Sequence, residues 1–171
     1  MGVKIGIVMG SDSDLDIMAG AAKVLEELGV EYEVSIISAH RTPAKLEEYA
    51  KSAEGRGLEA IICGAGGSAA LAGVTAAMTV LPVIGVPIYS KTIGGMDALL
   101  STVQMPSGIP VATVAINGAK NAGILAAKIA ARTDPELAGR LKAYSEDMAQ
   151  GVLAKNEKIG QIGYKAYLEQ M

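Results

Sequence analysis

His40 is the only imidazole in the chain, and it stands in the run Ser38-Ala39-His40-Arg41-Thr42-Pro43. Imidazole gives and takes protons near neutrality, which makes His40 the candidate general acid and base, although a lone loop histidine can equally be a passive surface residue. Its neighbour Arg41 carries a planar fork of donors suited to a phosphate; the plainer alternative is a solvated surface charge. A second polar cluster, Gly10-Ser11-Asp12-Ser13-Asp14, opens a helical pattern. Backbone N–H groups at a helix start, together with serine hydroxyls, can hold a phosphate. Capping of the helix by Ser13 would account for the same residues. The third cluster is Gly64-Ala65-Gly66-Gly67-Ser68, whose glycines allow a ligand to approach the backbone closely.

Several other chemistries fail on the residues they need. Gly64, Gly66 and Ala69 have the spacing of a dinucleotide-binding turn, but residues 83–90 hold no acidic group to receive the ribose. One His and one Cys cannot build a transition-metal site. Gly66-Gly67-Ser68-Ala69-Ala70 lacks the closing glycine of a hydrolase nucleophile elbow. A phosphoacceptor would need an Asp where Cys63 stands, and a flavin site would need more rings than Tyr89 supplies. Cys63 and the eight methionines read as core, Glu47 and Glu48 as a solvated helix face, and Tyr164 and Tyr167 as packing.

These clusters must be positioned by the elements between them. Apolar runs at residues 3–9, 32–37, 59–63, 81–88 and 110–116 read as strands. Helical periodicity follows each: Leu15, Met18, Ala22, Leu25 and Leu28 up to Gly29; Leu46, Tyr49, Ala50 and Ala53 behind Thr42 and Pro43; then residues 68–78, 96–103 and 119–131. Strands alternating with helices of this length predict a doubly wound, flavodoxin-like α/β fold with a five-stranded parallel sheet, for which 2-1-3-4-5 is the common order. Ligands of such sheets bind beyond the carboxyl ends of the strands. The three clusters, Tyr89-Ser90-Lys91-Thr92 and Asn117-Gly118-Ala119-Lys120-Asn121 all fall on that rim, and their convergence predicts a site. After Arg132, Thr133 and Glu136 have capping-box spacing, and Leu137, Leu141, Tyr144, Met148 and Val152 form one helical stripe. A further segment carries Ile159, Ile162, Tyr167 and Leu168. The expectation is one domain over 1–171, with an α/β part at 3–132 and a helical extension at 133–171.

Composition narrows the partners. The chain has 171 residues, half of them hydrophobic, a net charge of −3, a single Cys, and six Tyr as its whole aromatic complement. No broad basic surface or stacking platform is available for nucleic acid. No apolar run approaches a membrane span, and Met1 leads into no cleavable signal pattern, which points to the cytosol. Charged residues are only 19%, against roughly 25% in ordinary soluble domains. A chain with that deficit is expected to cover surface in a homo-oligomer.

Met9-Gly10-Ser11-Asp12-Ser13-Asp14, Ser38-Ala39-His40-Arg41-Thr42-Pro43, Gly64-Ala65-Gly66-Gly67 and Val103-Gln104-Met105-Pro106 resemble the PurE family of purine biosynthesis. The likeness runs in order from about residue 3 to residue 131, and it looks strongest to class I, the N5-carboxyaminoimidazole ribonucleotide mutases. Arg41 in place of Lys favours that class over the class II carboxylases that take free CO2. The resemblance implies a homo-octamer whose site needs no metal or cofactor. It implies a ribonucleotide 5′-phosphate near Ser13, Ser38 and Arg41 with Ser11 alongside, ribose hydroxyls on Asp14, proton transfer by His40, and a substrate pocket walled by Gly64, Gly66 and Gly67. The chain departs from the usual bacterial pattern at Ala70 and Ala72, where a His and a Pro are common. The readings to compare are therefore a mutase, a carboxylase using free CO2, and a non-catalytic nucleotide-monophosphate-binding module.

Overall fold

The computed structural model describes residues 4–171. Strands β1 (Lys4–Met9), β2 (Glu31–Ile36), β3 (Leu58–Gly66), β4 (Val83–Ile88) and β5 (Ala112–Thr113) form one parallel sheet in the order β2-β1-β3-β4-β5. Residue 3, expected to start the first strand, lies outside the described residues. Helices α1 (Leu15–Glu27), α2 (Pro43–Ala53), α3 (Leu71–Ala76), α4 (Met96–Val103) and α5 (Ala119–Ala130) cover the two faces, and α6 (Pro135–Leu168) follows.

Two cores result. Ile5, Ile7 and Met9 of β1 point to α1 and α5, where Leu25, Ala122 and Ala126 are fully buried; Leu137 of α6 closes this layer. Val8, Ile61 and Cys63 point the other way, toward Leu46 and Tyr49 of α2 and Leu71 and Ala72 of α3. Every residue of β4 is buried, as a central parallel strand requires. Register brings the loops level. Met9 pairs with Ile36 on one side and Gly64 on the other, and Gly66 pairs with Ile88, so four strands end along one rim.

The differences from the sequence reading have local causes. The strand expected at 110–116 is ordered as β only at Ala112–Thr113. Pro87 in β4 has no N–H to donate to a neighbour at the next paired position, so the ladder stops. The chain bulges there, and Asn117 N–H donates to the Pro87 carbonyl at 2.8 Å. The helix expected over 68–78 is only Leu71–Ala76. Ser13 does not cap α1; Ser11 caps a short 3-10 turn, Asp12–Asp14, by accepting from Ser13 N–H, and α1 grows out of that turn. Asp134, not Thr133, caps α6 by accepting from Leu137 N–H at 2.9 Å, because the Thr133 hydroxyl donates to Ala130 instead. The two C-terminal segments are one helix broken at Gly163, whose φ of 77° only glycine adopts easily. Of the predicted stripe on α6, Leu137 is buried and Leu141 and Tyr144 half-buried, whereas Met148 and Val152 stand exposed.

Candidate active site

The carboxyl rim of the sheet surrounds a cleft of about 490 Å³. Its first wall is the turn after β1. Ser11 Oγ accepts from the Ser13 hydroxyl at 2.9 Å and from the Ser13 backbone N–H at 3.3 Å, which fixes both serines at the mouth of α1. Asp14 is buried at 8% exposure. Burial pushes its carboxyl above the ordinary carboxylate range, against the opposing pull of the Ser11 backbone N–H and the Ser13 hydroxyl. A buried carboxylate with one hydroxyl already beside it has acceptor capacity left for further hydroxyls.

The second wall is the turn after β2. Thr42 Oγ1 accepts from Ser38 N–H and donates to Ser38 C=O, both at 3.0 Å, closing the turn that carries His40 and Arg41. Thr42 is therefore spent on the turn rather than on capping α2, where it makes no side-chain cap bond. Ser38 Oγ accepts from the Arg41 backbone N–H at 3.1 Å and from Arg41 Nε at 3.4 Å, while the guanidinium donates to Gly10 C=O at 2.9 Å. The guanidinium thus spans the gap between the ends of β1 and β2 with part of its fork still unspent. His40 lies exposed at the tip of the turn, and no described residue hydrogen-bonds its ring.

The third wall runs from Ala65 to Leu71. Gly67 has φ +62°, and it turns the chain so that backbone rather than side chain faces the cleft. Ser11, Ser13, Asp14, Ser38, His40, Arg41, Gly66 and Gly67 thus line a single cleft. Gly64 does not. It is buried in β3, where a side chain would collide with Met18 of α1, and its carbonyl accepts from Gly10 N–H at 3.2 Å. The motif spacing put it with its neighbours, but it lies two residues deeper in β3, level with Met9 and beneath α1, whereas Gly66 ends the strand at the rim. Tyr89 and Ser90, with Ala70 and Ile88, complete the lining. Their place on the rim was readable, but nothing in their types marked them as site residues.

Cys63, one strand position before Gly64, is buried and within 3.6 Å of Thr75 Oγ1. Burial pushes its thiol up to about 12, only partly offset by the Thr75 contact. It is a core residue, not a nucleophile.

Residues 4–151 match the model of the AIR carboxylase family. An N5-carboxyaminoimidazole ribonucleotide mutase of Thermotoga maritima is 59% identical over 167 residues, 98% of each chain. The mutase of Pyrococcus horikoshii is 57% identical over 166 residues, 97% of this chain and 94% of that one. A phosphoribosylaminoimidazole carboxylase of Schizosaccharomyces pombe is 53% identical over 163 residues, but these make up only 30% of its length. The crystal structure of Treponema denticola PurE superimposes with a TM-score of 0.82 at 34% identity, covering 91% of this chain and 98% of that one. With its rim segments, its strand order and these relatives in agreement, the chain belongs to the AIR carboxylase family, the PurE family that its sequence resembles.

Proposed function

We propose that this chain is an N5-carboxyaminoimidazole ribonucleotide mutase, an isomerase of purine biosynthesis. The observation that carries the reading is the likeness to the Thermotoga maritima mutase, which extends over 98% of both chains. The carboxylase of Schizosaccharomyces pombe, by contrast, has more than two thirds of its length outside the match.

The phosphate of the ribonucleotide rests on Ser13, Ser38 and the unspent donors of Arg41, with Ser11 holding Ser13 in place. Asp14 accepts from the ribose hydroxyls. Gly66 and Gly67 form the close wall, and Gly64 acts from behind it by anchoring Gly10. His40, as imidazolium, protonates the exocyclic nitrogen as its bond to the carboxylate carbon breaks and CO2 departs. The ring carbon then attacks the retained CO2, and neutral His40 removes the proton from that carbon. One residue donates and regains one proton, so the isomerisation is balanced without a cofactor. The cleft keeps CO2 near the ring and water away from it.

The working form is a homo-octamer in the cytoplasm, each subunit a single domain with 133–171 as its helical arm. Support comes from the α6 residues Met148, Val152 and Leu153, which this subunit leaves exposed, and from the low charge. The direct test is to supply the N-carboxylated ribonucleotide without bicarbonate. Conversion to 4-carboxy-5-aminoimidazole ribonucleotide supports the mutase. Product only on addition of CO2 would make it a carboxylase, and binding without turnover a nucleotide-binding module.

A further inference from the structure

Asn117 is, among the described residues, the one non-glycine with positive φ, at 59°. Asparagine tolerates that left-handed conformation better than most residues, but it is still a conformation normally left to glycine. The residue occupies the place where β5 would have continued beside Pro87. Its backbone N–H donates to the Pro87 carbonyl at 2.8 Å, and its side-chain Oδ1 accepts from Tyr89 N–H at 2.9 Å. A single residue thus carries the pairing of β4 past the proline, first with its backbone and then with its side chain. Tyr89 is the first residue beyond β4, and with Ile88 and Ser90 it forms the cleft wall farthest from Arg41. Strands lie about 4.8 Å apart, so the three intervals from β2 to β4 span roughly 14 Å, enough for a nucleoside monophosphate.

We infer that Asn117 is a positioning residue for substrate: its side-chain amide replaces the missing strand partner of Tyr89 and holds the far wall of the cleft at the distance the ribonucleotide needs. This rests on the mutase reading above. Glycine at 117 would accept the φ but remove the acceptor, leaving Tyr89 N–H without its partner. Aspartate would keep an acceptor oxygen at the same reach. Comparing the two separates backbone conformation from the hydrogen bond.

The test takes the full-length Asn117→Gly and Asn117→Asp variants beside the parent protein. In Asn117→Gly, the Tyr89 amide should exchange with solvent at least about tenfold faster, and kcat/KM should fall about tenfold, mostly through KM, with little change in melting temperature. Asn117→Asp should restore most of both. The inference is overturned if Asn117→Gly either exchanges or turns over like the parent, or if Asn117→Asp is as impaired as Asn117→Gly. The exchange measurement needs no turnover, so it decides the Tyr89 contact even if the parent protein leaves the N-carboxylated ribonucleotide unchanged. That second result would defeat the mutase reading itself.

Discussion

Replacing Arg41 with alanine removes a side chain that is exposed and that makes two contacts, to Gly10 C=O at 2.9 Å and to Ser38 Oγ at 3.4 Å. Neither contact is buried, so the variant should melt within a degree or two of the parent. The loss should fall on the ligand. A charge-assisted hydrogen bond contributes about 1.5–3 kcal/mol, which is roughly a 10- to 150-fold weakening of binding. The figure belongs near its lower end, because in the proposed binding mode Ser13 and the helix-start N–H groups would still face the phosphate, and Ser38 keeps its bond to Thr42 through the backbone. Calorimetric titration with 4-carboxy-5-aminoimidazole ribonucleotide and with its dephosphorylated nucleoside isolates the effect. The parent should prefer the nucleotide strongly, and Arg41→Ala should lose at least about tenfold of that preference while binding the nucleoside as the parent does. Arg41→Lys should recover part, since it restores charge without the fork. If Arg41→Ala keeps the full preference for the nucleotide, the guanidinium serves only to tie the β1 and β2 turns together.

His40→Asn should lower kcat by at least roughly 10²- to 10⁴-fold while leaving nucleotide affinity within a few-fold, and near-normal turnover would remove His40 from proton transfer. Asp14→Asn should weaken nucleotide binding yet raise the melting temperature of the free protein at pH 7. The sign follows from the raised carboxyl: the folded chain holds this proton more tightly than the unfolded one, so Asp14 supports folding fully below its ordinary 3.8 and progressively less as pH rises through its folded value. The gain from Asn should therefore shrink as melts are taken toward pH 4, and a gain that grows instead would contradict it. Light scattering of a dilute sample should find a particle near eight times 17.4 kDa, whereas a clean monomer would remove the octamer.

The sheet and the rim are legible in the sequence because both depend on short-range chemistry. β4 is buried on both faces and reads as a continuous apolar run, and Thr42-Pro43 and Gly29 mark helix boundaries where α2 starts and α1 ends. His40 and Arg41 stand out because their residue types are rare or charged in an otherwise apolar chain. What remains hidden depends on pairing across the fold. Pro87 reads as one more residue of a strand, yet its missing N–H ends the neighbouring strand after Thr113. Asn117-Gly118 reads as a turn, but nothing in that dipeptide shows that its amide oxygen takes the strand partner's place against Tyr89. Ser13 and Thr133 are good caps by type, and each loses that position to an aspartate one residue later. Gly64 shares a motif with Gly66 and Gly67, and only its depth in β3, level with Met9 and against Met18, keeps it out of the cleft.

Gly64 also bears on how tolerance to mutation would be distributed along this chain. Met18, against which it packs, is one turn into α1, the helix that starts directly after Asp14. Any bulk added at 64 must displace the Met18 side chain, which is itself buried in the layer beneath α1. A saturation library would therefore deplete at position 64 as thoroughly as at a ligand-touching residue, for a reason of volume and not of chemistry. Selection would see one contiguous glycine motif where the molecule has two separate demands, one for room in the core and one for bare backbone in the cleft.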